Sequence, residues 1–137
     1  MKTRVLFDTH ILLWALSGDA KLPPKALEMI DSPDYEVFYS SVSVWEVAIK
    51  YLKNPEKIDN VSPERFVEFC DASEFWVLPL MVNHVMMLKT LSRPEDAPAH
   101  NDPFDRILLA QAKSENMLFI THDTLIAGYN EPFIICA

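Results

Sequence analysis

Short apolar runs alternate with segments of helical periodicity along almost the whole chain. Strands that are apolar on both faces and separated by helices form parallel sheets, whose right-handed crossovers place helices on both faces. The pattern therefore predicts an α/β fold, a three-layer α/β/α sandwich around a central, mostly parallel sheet. The predicted strands are RVLFD (4–8), EVFYS (36–40), FWVLPL (75–80), MLFIT (117–121) and FIIC (133–136).

The segments between these runs carry signals for helix ends. Ser62 precedes Pro63, so a capping side chain is followed by proline at the first helical position. Gly18 marks the end of the first helical segment. The stretch 92–103 (SRPEDAPAHNDP) is rich in proline and is predicted to be a loop. The predicted helices cover 9–17, 24–30, 41–53 (capped by Ser41 or Ser43), 63–72, 83–91 and 103–115.

The chain of 137 residues is long enough for one domain with its own core, and we expect a single domain over 1–137. It has no run of about 18 apolar residues, so no membrane span is expected. The beginning imitates a signal peptide, but Asp8 and His10 interrupt its apolar part. Cys70 and Cys136 lack metal-ligand spacing, and we expect two buried thiols in a reducing cytoplasm.

The net charge of −8 argues against a general nucleic-acid binder, because such proteins are usually basic. It does not exclude a nuclease. An enzyme that gathers carboxylates around metal ions contributes several of these charges itself, and bound metal ions offset them.

Two acidic residues follow predicted strands. Asp8 ends the first strand, and Asp123 follows the strand 117–121 after one residue. Ligands of open parallel sheets bind at the carboxyl ends of the strands, so both carboxylates are expected at one edge. The alternative for either residue alone is a helix cap, since each precedes a helical stretch.

Asp105 lies on the predicted helix 103–115, at the head of a stripe formed with Leu108, Leu109 and Ala112. A carboxylate on a face that packs against a sheet is unfavourable unless it is paired or binds a metal ion. Asp102, one turn earlier, is best interpreted as the helix cap, and both acids would also suit the helix dipole.

Glu46 lies in the middle of a predicted helix, where no capping role explains it. Lys50 and Lys53 share its side of the helix, opposite a predicted apolar face formed by Val44, Val47, Ala48, Tyr51 and Leu52. An ordinary solvated Glu–Lys stripe would account for this arrangement. The functional interpretation is that Glu46 faces a cleft, while Lys50 and Lys53 contact substrate phosphates.

Four segments together resemble the PIN-domain nucleases, specifically the VapC-type toxins of toxin–antitoxin pairs. They are VLFDTHILLWAL, SSVSVWEVAIK, HNDPFDRILLAQA and FITHD, and they span the chain in order. The resemblance implies a metal-dependent endoribonuclease in which Asp8, Glu46, Asp105 and Asp123 are the catalytic residues and metal ligands. Mg²⁺ or Mn²⁺ is the implied cofactor, because both ions favour oxygen ligands. The implied partners are an RNA substrate, a cognate antitoxin and a second copy of the chain.

The histidines His10, His84, His100 and His122 lack ligand spacing, and we expect structural or substrate-facing roles. His100, just before the DPFDR block, is predicted to contact RNA. The helix 9–17 is apolar nearly all round, so its outer side is either core or an interface for a homodimer or an antitoxin.

Other phosphate-handling enzymes fit less well. A haloacid-dehalogenase-type phosphatase needs a second Asp at position 10, which is His10, and a response-regulator receiver needs paired acids at the first strand. The remaining alternative is a catalytically inactive PIN-like module that binds RNA or protein. Such a module would be expected to lack one of the four acids, and all four are present.

Overall fold

Five strands form one parallel sheet in the computed structural model, which describes residues 1–137. They are β1 (Thr3–Phe7), β2 (Tyr35–Ser40), β3 (Trp76–Leu78), β4 (Leu118–Thr121) and β5 (Ile134–Cys136). The strand order is β3-β2-β1-β4-β5, and every neighbouring pair is parallel. β1 is the central strand. The chain adds β2 and β3 on one side of it, and then crosses over to add β4 and β5 on the other side.

The register places the ends of β1 and β4 side by side. Val5 is level with Val37 of β2 and with Leu118 of β4, and Phe7 is level with Ile120. The residues that follow β1 and β4 therefore emerge together at the carboxyl edge of the sheet. This edge, beside the central strand, is where open parallel sheets bind ligands.

Seven α-helices cover the sheet, and two short 3₁₀ helices lie at Pro55–Ile58 and Met87–Thr90. Gly18 ends the first α-helix with φ of 66°, a left-handed conformation that glycine adopts without steric cost. The α-helices are α1 (Thr9–Ser17), α2 (Pro24–Asp31), α3 (Ser41–Lys53), α4 (Pro63–Ala72), α5 (Val82–Met86), α6 (Pro103–Glu115) and α7 (Thr124–Ala127).

Successive side chains of a strand point to opposite faces of the sheet, and each face has its own hydrophobic core. Val5 and Phe7 join the larger core with side chains from α1, α2 and α4. Leu6 and Phe119 join the second core, to which α6 contributes more buried residues than any other element. The three-layer α/β/α sandwich predicted from the sequence is confirmed.

Two predicted elements are shorter than expected. The strand predicted over 75–80 is reduced to β3, because Pro79 has no N–H to donate to a strand ladder. The helix predicted over 83–91 is divided into α5 and the 3₁₀ helix Met87–Thr90. No pattern in the sequence predicted the 3₁₀ helix Pro55–Ile58.

The predicted apolar face of α3 is partly wrong, since Val47 is buried and Val44 packs against the core but the last two members are exposed. Leu52 is 84% exposed, and Tyr51 is exposed as well. The buried residues of α3 are Val42, Ser43, Glu46 and Val47, so the buried side includes Val47 but is turned towards Glu46. Apolar residues occur on both sides of this helix, so periodicity alone could not decide which side packs against the sheet.

The helix 9–17 is divided between core and surface. Ile11, Leu12 and Leu13 are buried in α1, while Trp14 and the two residues that follow it are half-buried. The prediction of two buried thiols is half wrong, since Cys70 is buried but Cys136 is exposed. None of the helices is both long and apolar enough to cross a membrane.

Candidate active site

One cavity lies at the carboxyl edge of the sheet, where β1 and β4 end. It has a volume of about 340 Å³ and includes all four acids predicted from the sequence. The nine residues that line it are Asp8, His10, Trp14, Glu46, Lys50, Asp102, Asp105, His122 and Asp123. Five of these are acidic and one is a lysine, so the cavity carries a concentrated negative charge.

Asp8 leaves the end of β1 and caps α1. Its Oδ1 accepts a hydrogen bond from the Thr9 N–H at 2.8 Å, and its Oδ2 accepts one from the Thr121 hydroxyl at 2.8 Å. Burial raises the pKa of Asp8 to about 6, and the negative charges of Glu46 and Asp123 add to the increase. The same carboxylate therefore caps α1 and lines the cavity.

Glu46 is 4% exposed and is not part of a solvated stripe. The Thr9 hydroxyl donates to its Oε1 at 2.8 Å, and the Lys50 ammonium donates to its Oε2 at 2.7 Å. The Thr9 hydroxyl also lies 2.8 Å from that of Ser43. This network fixes Glu46 against the beginning of α1. Of the two lysines predicted to contact phosphate, Lys50 lines the cavity, whereas Lys53 is exposed outside it.

Asp102 and Asp105 lie at the beginning of α6 and have different contacts. Asp102 Oδ1 accepts a hydrogen bond from the Asp105 N–H at 3.0 Å, which is the capping contact. Desolvation raises the pKa of Asp105 to about 8, and the charges of Asp8, Asp102, Glu46 and Asp123 contribute in the same direction. Asp105 is therefore the acid that its surroundings most strongly keep protonated.

His100 is buried behind Asp105 and does not line the cavity. Its Nε2 lies 3.2 Å from Asp105 Oδ2, and its Nδ1 lies 2.8 Å from the Tyr129 hydroxyl. Burial lowers its pKa, so the neutral ring is favoured. Because its side chain is buried, His100 is not placed to make the predicted contact with RNA. Its hydrogen-bond geometry instead suits it to position Asp105.

Asp123 follows β4 and caps α7, with Oδ1 accepting from the Leu125 N–H at 2.8 Å. The Thr121 hydroxyl accepts from the Asp123 N–H at 3.0 Å while donating to Asp8. Thr121 therefore joins the two strand-end acids. Thr9, Thr121 and Tyr129 were not among the site residues predicted from the sequence. For the two threonines the signal was present, since each lies within two residues of a strand-end acid.

The residues fit a hard divalent cation by their chemistry, since the converging donors are carboxylate oxygens. The raised pKa of Asp105 reflects burial and crowding of like charges, and a bound cation would relieve the crowding. No group of three Asp, Glu, His or Cys side chains lies close enough together to surround an ion as placed. The acids thus share a cavity but do not form a closed ligand shell.

The protein is therefore a small α/β domain with a parallel sheet. Its candidate active site is an acidic cavity at the carboxyl edge of that sheet. The PIN-domain family model matches residues 5–131, so the chain belongs to the PIN-domain family. PIN domains are in general nucleases. No curated protein sequence matches the chain.

Three solved structures share the fold at low sequence identity. VapBC2 from Rickettsia felis, bound to a promoter DNA fragment, matches with a TM-score of 0.67 and 15% identity, covering 97% of this chain and 96% of that chain. DNA-bound VapBC from Salmonella typhimurium matches with a TM-score of 0.61 and 16% identity, covering 98% and 96%. FitAcB from Neisseria gonorrhoeae matches with a TM-score of 0.57 and 17% identity, covering 89% of each chain.

Proposed function

We propose that this protein is a metal-dependent endoribonuclease and the toxin of a type II toxin–antitoxin pair. The observation that carries the proposal is the convergence of Asp8, Glu46, Asp105 and Asp123, from four distant segments, on one cavity at the sheet edge. Membership of the PIN-domain family supports a nuclease, and the VapBC neighbours support the toxin role. We expect it to act in the cytoplasm.

The four acids would hold Mg²⁺ or Mn²⁺, as PIN nucleases generally use divalent metal ions. Such an ion, when held by these acids, would supply Lewis acidity for phosphodiester hydrolysis. The chain itself orients the ligands. The hydroxyl of Thr121 holds Asp8, and the hydroxyl of Thr9 holds Glu46. Lys50 supplies the single lysine charge of the cavity lining, which offsets part of the negative charge that an RNA phosphate meets there.

Cleavage of purified RNA with and without a chelator tests the proposal. Activity should disappear on chelation, and Mg²⁺ or Mn²⁺ should restore it. Asp8→Asn should abolish cleavage and growth toxicity while the protein remains folded. Asp34→Asn is the matched control, because Asp34 is an exposed acid beside the opposite edge of the sheet. Undiminished cleavage in the presence of the chelator would contradict the metal-dependent mechanism. Metal binding without cleavage would favour the catalytically inactive binding module.

An antitoxin is the partner that the VapBC neighbours support. We expect the product of an adjacent reading frame to bind the toxin and inhibit it. The test is titration of that product into the cleavage reaction, with loss of activity at a fixed molar ratio. Cleavage that persists at saturating concentrations of the candidate antitoxin contradicts the pairing.

A second copy of the chain is the other proposed partner. Helix α5 and the residue that precedes it expose apolar side chains at neighbouring positions, which is unusual for a free surface. They are Met81, Val82, Val85 and Met86. Light scattering should give a dimer mass, and Val82→Asp should shift it to a monomer. Leu52→Asp, at an exposed position on α3, is the control. A monomeric wild type contradicts the dimer.

A further inference from the structure

Aromatic side chains form one side of the cavity, and they take no part in the hydrogen bonds that hold the carboxylates. His10 and Trp14 project from α1, and His122 follows β4. The centroids of the His10 and Trp14 rings are 6.0 Å apart, and those of Trp14 and His122 are 5.6 Å apart with a T-shaped arrangement. His10 and His122 are exposed, and Trp14 is half-buried. Trp14 is also the single hydrophobic residue of the cavity lining.

The charges around the cavity limit what this aromatic side can bind. Apart from the three rings and Lys50, every lining residue is an acid. Lys50 already makes an ion pair with Glu46 at 2.7 Å. The acids with their ions, and Lys50, suit the phosphate of a nucleotide, but they offer its base no apolar surface. The surface that remains for its base is the aromatic cluster, and aromatic rings stack on any base because every base has a π face.

The size of the cavity restricts the ligand further. A volume of about 340 Å³ is at the small end of the range of about 300–1,000 Å³ typical of ligand pockets. Such a cavity suits one nucleotide with its base turned out of a stack. Bases of a duplex are stacked on one another and cannot present a face to Trp14, whereas bases of single-stranded RNA can.

We infer that His10, Trp14 and His122 form a base-stacking subsite for the nucleotide next to the scissile phosphate of single-stranded RNA. The inference rests on the proposed nuclease function and adds to it how the substrate is held. The acids and their ions take the phosphate, and the three rings take the adjacent base. Recognition by stacking is tolerant of sequence, so this subsite selects unpaired RNA rather than a particular base.

Fluorescence of Trp14 provides a direct test. Trp45→Phe and Trp76→Phe leave Trp14 as the sole tryptophan, since the chain has three. In this protein, with Asp8→Asn added to prevent cleavage and Mg²⁺ present, a single-stranded oligoribonucleotide should quench the emission at saturation. A duplex of the same sequence should leave it unchanged. Equal quenching by both RNAs would overturn the selection of single strands, and no quenching by either at saturation would overturn the subsite.

Binding measurements separate stacking from a structural effect. In the Asp8→Asn protein, Trp14→Leu should weaken binding of the oligoribonucleotide about tenfold, within the range found for aromatic platforms. A ribose-phosphate chain of equal length without bases should bind the Asp8→Asn protein equally well with and without Trp14→Leu. His10→Ala, at an exposed position, should weaken RNA binding without disturbing the fold. Trp76→Leu is the matched control, because Trp76 is exposed on the edge strand outside the cavity.

The outcomes distinguish this inference from the proposed function. Affinity for Mn²⁺, measured by calorimetry, should be the same in the wild-type and Trp14→Leu proteins. RNA affinity that is equal in the Trp14→Leu and Trp76→Leu proteins overturns the subsite and leaves the nuclease intact. A wild-type protein that neither binds nor cleaves RNA overturns both.

Discussion

The Nε2 atom of His100 lies 3.2 Å from Oδ2 of Asp105, and the other ring nitrogen lies 2.8 Å from the Tyr129 hydroxyl. The Arg106 guanidinium, which can only donate, reaches the same hydroxyl at 2.9 Å. The Tyr129 oxygen accepts from Arg106, so its own hydrogen is available to Nδ1 of His100. This arrangement leaves the Nε2–H of a neutral His100 to donate to Asp105.

The same residues fasten the proline-rich loop to the site. Arg93 lies over the Tyr129 ring at 4.6 Å and donates to the carbonyl oxygens of Leu125 and Pro98. The loop that carries His100 is thereby tied to α7 and to the first turn of α6. The orientation of Asp105 thus depends on side chains that do not themselves line the cavity.

Replacement of His100 should weaken metal binding. His100→Ala removes the donor that orients Asp105, and loss of such supporting hydrogen bonds typically lowers metal affinity or activity by about 10- to 100-fold. His100→Gln, which retains a donor, should recover part of the loss. Calorimetry with Mn²⁺ measures the effect, and Tyr129→Phe should produce a smaller decrease in the same direction. Unchanged Mn²⁺ affinity in His100→Ala would show that Asp105 needs no such support.

Asp102 and Asp105 should respond differently to substitution. Asp102→Asn keeps an oxygen for the Asp105 N–H and should preserve most stability and activity. Asp102→Ala should lower the free energy of unfolding by about 1 kcal/mol, as the loss of a helix cap does. Asp105→Asn should abolish cleavage without lowering stability, since it removes a charge from a repulsive cluster. Melting curves and cleavage rates decide between the roles, and an inactive Asp102→Asn would make Asp102 a participant in catalysis.

The stability of the metal-free protein should fall as pH rises from about 4 to about 8. An Asp carboxyl in the unfolded chain titrates near 3.8, whereas folded Asp105 has a pKa of about 8 and Asp8 one of about 6. Between these values Asp8 and Asp105 bind more protons in the folded protein than in the unfolded chain, so their deprotonation favours unfolding. Urea denaturation with chelator across this range measures the slope. Asp105→Asn should flatten it and Asp34→Asn should not, and a stability that rises with pH would contradict the assignment.

Lys50 should contribute more to RNA binding than Lys53. Lys50 lines the cavity and Lys53 does not, so Lys50→Ala should weaken binding and reduce its salt dependence by about one counterion. Lys53→Ala should have the smaller effect and serves as the matched comparison. Binding isotherms at several salt concentrations report both changes. Equal salt slopes in wild type and Lys50→Ala would mean that Lys50 serves only to pair Glu46.

Hydrophobic patterning along the chain was sufficient to predict the sheet and the edge at which the acids meet. Apolar runs between helices are best buried in a parallel sheet covered on both faces, which defines the layers. Parallel strands end on the same edge, so Asp8 and Asp123 had to emerge together once β1 and β4 were neighbours. The DPFDR block likewise indicated a capped helix with a second acid one turn further in. These features are local, and local sequence patterns encode them.

Which side of α3 faces the cavity, and therefore the burial of Glu46, depends on packing that the sequence pattern does not specify. The same holds for the contact of Thr9 with Glu46, 37 positions away, and that of Thr121 with Asp8, 113 positions away. The burial of His100 and the contact of Trp14 with His122 likewise depend on tertiary packing. Such contacts depend on the strand order and on how the crossover helices pack, and hydrophobic periodicity carries no information about which distant residues that packing brings together.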